Sequence, residues 1–324
     1  MKLKLCVALL AVSLPLLAKD DQVTIQSREL SVTIARKGAE LQSIIHRPTG
    51  IEYLWQGDPE YWDRRAPNMF PVNVRFKDNQ FSYRGKTFEM PRMGLAFDGV
   101  FEVLPKKAGK KKEAKVVLAL KSSPETLKYY PFPFELRISS QIKDLRLLQK
   151  YTVKNTGTET LLFALGGHPG FRAPFIKNRD RSDYQYAFSE KMLVRRNVIS
   201  DSLIQEEQVD FLRDEDRLSL SDERIPNGGM FLMDPDARKI GLALKGRKPY
   251  VTVDLGDFPN ANLWSPPGMP YLCVEPMVAH HDLQDSPLAI EEKDYLIKLP
   301  AGKSQTYTFS ILIDPKEGKR ALEE

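Results

Sequence analysis

Phe134-Glu135-Leu136-Arg137-Ile138-Ser139-Ser140-Gln141-Ile142 and, shortly after it, Leu147-Leu148-Gln149-Lys150-Tyr151-Thr152-Val153-Lys154 decide the fold class. Both runs alternate apolar and polar side chains at a period of two, which suits a strand with one buried face and is the wrong period for a helix. Asn155-Thr156-Gly157 then reads as a turn, and Thr160–Leu165 as the next strand. The same reading extends in both directions. Val23 and Ile25, then Leu30, Val32 and Ile34, predict two strands about a turn at Ser27-Arg28-Glu29; Phe81–Phe88 predicts a hairpin turning at Arg84-Gly85-Lys86; Val116–Leu120 predicts another strand. In the second half, Gly229–Met233, Ile240–Leu244, Tyr250–Leu255, Tyr271–Val274, Tyr295–Leu299 and Gln305–Ile313 continue the series. No amphipathic pattern sustains three helical turns. Many strands punctuated by Gly, Pro and Asn predict an all-β chain, a large antiparallel β-sandwich. Residues 173–226 break the pattern, being charged and irregular, and read as a long excursion over the surface or the mouth of a cleft.

The ends of the chain bear on where it works. Met1-Lys2-Leu3-Lys4 is followed by an apolar run through Ala18 and then polar Lys19-Asp20-Asp21, the layout of a secretory signal peptide over 1–18. Its apolar run is short for a transmembrane span, which needs about 20 residues. The expectation is an exported protein, periplasmic or secreted, with no membrane insertion once the signal is removed. Residues 19–324 show no repeat, linker or compositional break and read as one domain. Cys273 is then the sole cysteine, so no intrachain disulfide forms and stability rests on the core. Net charge is +5, with the basic excess concentrated in Lys106-Lys107-Ala108-Gly109-Lys110-Lys111-Lys112. No aromatic platform or amphipathic helix accompanies that run, so it reads as a solvated hairpin tip rather than a nucleic-acid site. No protein partner is implied either.

Two short stretches carry chemistry. Gly166-Gly167-His168-Pro169-Gly170-Phe171 and Cys273-Val274-Glu275-Pro276 each place a proton-transfer group beside Pro and next to an apolar strand. An ionisable side chain in such a setting is costly unless it has a partner or a purpose. A buried acid and a buried base suit proton chemistry on a sugar hydroxyl and a ring oxygen. Trp55, Trp62 and Trp264 could stack on sugar faces or anchor loops. The chain has no Cys/His cluster, Asp-rich calcium loop or glycine-rich phosphate loop, so no metal or cofactor is expected.

With these residues in view, the chain resembles the aldose 1-epimerase (galactose mutarotase) family, in its LacX-like subgroup. The resemblance is carried by Gly38-Ala39-Glu40-Leu41-Gln42-Ser43-Ile44, Glu52 to Asp58 with Trp62, Ala66-Pro67 through Phe70-Pro71 to Arg75, Tyr83 to Lys86, Tyr151 to Asn155, the His168 motif, and Glu275-Pro276 with Asp282 beyond. It implies a galactose mutarotase-like sandwich with a sugar, or the reducing end of an oligosaccharide, bound on a concave sheet face. It further implies Glu275 as the base that takes the anomeric hydroxyl proton and His168 as the acid that protonates the ring oxygen, with Arg75 holding sugar hydroxyls. Both groups would then need pKa values near the working pH: Glu275 raised by its apolar surroundings, His168 held protonated. The chain also departs from the pattern. Met93-Gly94-Leu95-Ala96-Phe97 stands where the subgroup has His-Gly-Phe-Ala-Arg, Gly228 aligns with a sugar-contacting aspartate, and Met277 replaces a tryptophan. His280 and His281 follow Glu275 closely enough for one of them to line the cleft in place of the lost imidazole, while His46 reads as a surface residue. The candidate substrate-binding set is therefore Arg75, Asp282, Trp264, His280, His281 and Met93. Three functions fit these residues: an exported mutarotase, a non-catalytic carbohydrate-binding protein on the same scaffold, and another lyase or isomerase chemistry on the same sandwich. Retention of both His168 and Glu275 favours the first.

Overall fold

The computed structural model describes residues 21–105, 114–174, 180–221, 223–225 and 229–323. The leader at 1–18, the lysine run at 106–112 and Gly228 fall outside the described residues.

The two runs that open the sequence reading pair with each other, Phe134–Lys143 against Arg146–Asn155, with Leu136 opposite Val153, Ile138 opposite Tyr151 and Ile142 opposite Leu147. Their alternation is the reason for the pairing face: Phe134, Leu136, Ile138, Leu147, Tyr151 and Val153 are buried while Arg137, Lys150 and Lys154 are exposed. Where the inward row turns polar, Ser140 donates to Gln149 Oε1 across the pair at 3.1 Å, which satisfies that hydroxyl and that carbonyl on burial. These strands lie inside a nine-stranded sheet in the order Leu203–Ser219, Tyr184–Ser200, Lys239–Leu244, Val251–Asp254, Ser304–Ile313, Arg146–Asn155, Phe134–Lys143, Lys115–Lys121, Glu102–Val103.

A second sheet runs Gly229–Leu232, Asn260–Trp264, Tyr271–Val278, Leu165–Gly167, Asn68–Met69, with Gly170–Arg172 also pairing against Tyr271–Val278. The two sheets meet face to face. Tyr151 from the first donates its hydroxyl to Asn68 of the second at 2.6 Å, and a side chain at Gly167 would run into the Phe309 ring at 2.9 Å. The strands within both sheets pair antiparallel, giving the sandwich the alternation implies. A four-stranded meander, Gln22–Gln26, Leu30–Ala35, Leu41–His46 and Ile51–Glu52, closes one end. The described helices are short, Thr126–Tyr129 and Pro315–Glu323.

Residues 173–226 correct the sequence reading. The irregular excursion is largely a hairpin of two 17-residue strands, Tyr184–Ser200 and Leu203–Ser219, joined through Asp201 and Ser202 at φ +48° and +60°. Two consecutive positive φ values give the connection whose twist matches a hairpin. The hairpin is rooted in the large sheet by the pairing of Tyr184–Phe188 with Ile240–Leu244, and its register shifts at four places farther out. Each shift bends the ribbon, and it also breaks the period-two signal that sequence reading depends on. The tip arrives over the second sheet, where Ile204 N–H donates to the Asp282 carbonyl at 3.0 Å and Gln284 N–H to the Ile204 carbonyl at 2.9 Å. The expectation that this segment reaches the mouth of a cleft holds; its irregularity does not.

Candidate active site

Strand Tyr271–Val278 is buried on both faces, and its alternation sorts two environments. Leu272, Val274 and Val278 enter the main core, whereas Cys273, Glu275 and Met277 face away from it. On the neighbouring strand Ala261 and Leu263 face the core, leaving Asn260, Asn262 and Trp264 on the outer side. Register then sets the chemistry. Asn262 lies directly opposite Glu275 and donates Nδ2–H to Oε1 at 2.9 Å. On the other flank Gly166 pairs with Met277 and Gly170 with Cys273, a single register that brings His168 opposite Glu275. His168 Nε2 is 3.4 Å from Glu275 Oε1. A cross-strand row of Asn262, Glu275 and His168 therefore forms the floor of a cleft.

That cleft has a volume of about 520 Å³, and its lining includes Trp62, Met93, Trp264, His281, Arg92 and the hairpin tip Ser200–Ser202. The Trp62 and Trp264 rings meet edge to face, 5.4 Å between centroids, and stand 5.0 and 5.6 Å from the His168 ring. Trp62 is held by its loop: buried Glu40 accepts the backbone N–H groups of Arg65 and Ala66 at 2.7 and 3.0 Å. This gives the Gly38-Ala39-Glu40 stretch a physical role that sequence reading did not assign.

Burial moves both members of the pair toward neutrality. Desolvation raises Glu275 to about 8, opposed by the Asn262 hydrogen bond, and lowers His168 to about 4. The Glu275 direction matches the sequence expectation. The His168 direction corrects it, because the ring is withdrawn from water beside a carboxyl that is itself protonated at neutral pH. Several polar atoms around this cleft are buried without a partner: His168 Nδ1, Glu275 Oε2, Asn262 Oδ1 and both ring nitrogens of His281. Unpaired polar atoms of this kind carry a desolvation cost that a hydroxyl-rich ligand would relieve.

The candidate substrate-binding residues divide. Trp264, His281 and Met93 line the cleft. Of the two histidines it is His281 that faces in, while the His280 ring lies tilted against Tyr295, 4.3 Å between centroids, and is absent from the lining. Asp282 is placed elsewhere: its fully buried carboxylate accepts from Lys293 Nζ at 2.8 and 2.9 Å, from Tyr295 at 2.8 Å and from Lys77 N–H at 2.8 Å, which ties the segment after the floor strand to the surrounding shell. Arg75 is likewise outside the lining and pairs with Asp201 of the hairpin tip at 2.6 Å. Sequence reading missed Asn262 and Arg92, and named no individual residue of the hairpin tip. His46 is buried rather than a surface residue, its Nδ1 2.8 Å from the Thr49 hydroxyl.

One further grouping was invisible in the linear spacing. Ligand atoms of His168, Cys273 and Glu275 lie within 4.8 Å of one another. Burial and the Glu275 charge raise the Cys273 thiol well above its usual range, so metal ligation there would first require removal of a proton the site holds strongly.

The family model described as aldose 1-epimerase matches residues 21–311. The chain belongs to the aldose 1-epimerase family. Protein LacX of Lactococcus lactis subsp. lactis is 27% identical over 302 residues, covering 90% of this chain and 99% of that protein. A galactose mutarotase related enzyme from Lactobacillus acidophilus superposes with a TM-score of 0.82 at 29% identity, covering 90% of this chain and 97% of that one. A galactose mutarotase-like protein from Lactobacillus casei gives 0.82 at 28% identity, with 90% and 100% covered. The sandwich is therefore of the galactose mutarotase-like type, and in this aldose 1-epimerase family member the His168–Glu275 row occupies the floor of the aromatic-walled cleft.

Proposed function

We propose that the protein is an exported aldose 1-epimerase that interconverts the α and β anomers of a sugar by acid–base ring opening. The observation that carries this reading is the cross-strand contact of His168 with Glu275, 3.4 Å apart at the floor of a cleft walled by Trp62 and Trp264. Glu275 as carboxylate takes the proton of the anomeric hydroxyl while His168 as imidazolium protonates the ring oxygen; the ring opens, the carbonyl carbon rotates, and closure runs the two transfers backward. Opening converts a charged pair into a neutral one. Burial favours the neutral pair, as the opposite shifts of the two groups express, so this cleft favours the state that accompanies the open chain over the state that accompanies the ring. One proton shared by two groups serves the whole cycle.

His281 supports the reading from the side. Met93 cannot donate or accept the proton of the histidine it replaces, and His281 brings an imidazole with two unpartnered nitrogens to the same cleft. Export is proposed from the composition of residues 1–18. The test is exchange NMR between α- and β-anomer signals over a panel of free aldoses, with Glu275→Gln as the control. Acceleration lost in the variant while sugar affinity persists supports the mutarotase; sugar binding without acceleration for any aldose points to the carbohydrate-binding alternative.

A further inference from the structure

Arg92, an exposed residue lining this cleft, has no counter-ion among the described residues. Its guanidinium offers five N–H donors and, among the described residues, uses one of them, toward the Ser202 hydroxyl at 3.0 Å; no carboxylate lies within ion-pair distance. The other charges in or beside the cleft balance without it. Arg75 and Asp201 neutralise each other at 2.6 Å, His168 and Glu275 share a single proton, and burial keeps His281 uncharged. Partial burial, and after it the positive charge of Arg75, works against the Arg92 charge, and Asp201 works for it, so the three groups sense one another around the hairpin tip.

The position of Arg92 is set by the backbone. Gly94, at φ +72°, accommodates the Phe70 carbonyl so closely that a Cβ there would lie 2.3 Å from the oxygen. Gly94 N–H donates to the Pro91 carbonyl at 2.9 Å and Met93 N–H to the Val74 carbonyl at 2.6 Å. The turn bearing Arg92 is thus pinned to the cleft wall, and its exposed side chain is steadied by the Ser202 hydroxyl alone.

We propose that the cleft takes an aldose carrying an anionic substituent, a carboxylate, phosphate or sulfate, which Arg92 pairs with while the sugar ring lies against Trp62 and Trp264. The inference rests on the cleft being a sugar site and names the class of sugar. A guanidinium presents paired N–H donors that match any of the three oxyanions.

The test measures binding, by calorimetry and by quenching of tryptophan fluorescence, separately from anomer exchange by NMR. The panel pairs D-glucose and D-galactose with D-glucuronate, D-galacturonate, glucose 6-phosphate and glucose 6-sulfate, so that its arms distinguish the three oxyanions. At least one acidic sugar should bind about tenfold or more tightly than its neutral parent at low salt, with the preference weakening as salt is added. Arg92→Gln should collapse that ratio, and Arg92→Lys should restore part of it. Asp201→Asn should raise the ratio, since Asn tolerates the same positive φ and releases Arg75 from its carboxylate. If Arg92 served merely to pin the roof through Ser202, Arg92→Gln would weaken neutral and acidic sugars alike. Neutral parents binding as tightly as every acidic sugar, or a preference that survives Arg92→Gln, overturns the proposal. Rapid exchange of neutral sugars without any acidic preference sinks this inference alone, whereas Arg92-dependent binding without exchange sinks the mutarotase reading alone.

Discussion

Replacing Glu275 with Gln separates charge from shape at the floor of the cleft. The folded protein lifts this carboxyl from 4.5 to about 8, so between those values the native state holds a proton that the unfolded chain releases. Stability contributed by such a group is fully present below 4.5 and is lost as pH rises through about 8. Over the whole window the loss corresponds to about 5 kcal/mol, at roughly 1.4 kcal/mol per pH unit. His168 acts in the opposite sense: its folded value of about 4 lies below 6.5, so its contribution grows as pH rises between them. The two slopes cancel between 4.5 and 6.5, and from 6.5 to about 8 Glu275 acts alone, costing the native protein about 2 kcal/mol. The amide introduced by Glu275→Gln would keep a carbonyl for Asn262 to donate to and has nothing to titrate. Apart from a constant offset due to shape, the variant should therefore gain on the parent steadily from pH 4.5 upward, by about 5 kcal/mol at pH 8 and above. Urea denaturation at half-unit pH steps and fixed ionic strength measures this. A difference that does not vary with pH, or one that runs against the variant as pH rises, refutes burial as the origin of the raised pKa.

In the proposed cycle the His168–Glu275 pair holds one proton. Anomer exchange should accordingly be level near neutrality, fall above about 8 as the pair loses its proton and fall below about 4 as it gains a second; a protein-dependent rate still climbing past pH 9 would contradict the scheme. Gly94→Ala places a Cβ 2.3 Å from the Phe70 carbonyl oxygen at a positive φ and should cost about 2 kcal/mol or more, seen as a fall of several degrees in Tm. An unchanged Tm would mean that the turn beside Met93 is not held as described. Lys293→Met strands the Asp282 carboxylate in full burial and should cost about 3–5 kcal/mol by chemical denaturation, with Asp282→Asn in the same chain recovering a good part of the loss.

Much of the fold could be read from alternation alone, because strands such as Phe134–Lys143 bury one face and alternation records that directly. The long hairpin escaped for the same reason in reverse. Residues between Ser189 and Arg217 expose much of both faces, and the register shifts move side chains off the two-residue period, so the segment carries charge where a strand signal would otherwise stand. At the site, His168 and Glu275 were recognisable because an ionisable group beside an apolar strand is anomalous in the sequence itself. Asn262 was not, since asparagine is common in turns and its importance comes from lying opposite Glu275, a matter of register between separate strands. Arg75 and Asp282 were assigned by their place in motifs, yet partners distant in the sequence or across a loop, Asp201 and Lys293, decide what each does. Local sequence describes the cost of burying a group; only tertiary pairing says who meets that cost.

The hairpin that reaches the cleft makes a claim about how such a protein can change. From its last pairing with the large sheet at Phe188, the strand runs on to Ser200 over up to about 40 Å at roughly 3.4 Å per residue. In the proposed reaction, the residues that line the mouth are thus delivered by a separate arm, while Glu275 sits in a floor strand and His168 in the short break between two others. Mutations along the arm can reshape what enters without disturbing the reaction beneath, so relatives that differ mainly between residues 184 and 219 should share a chemistry and part company over diet.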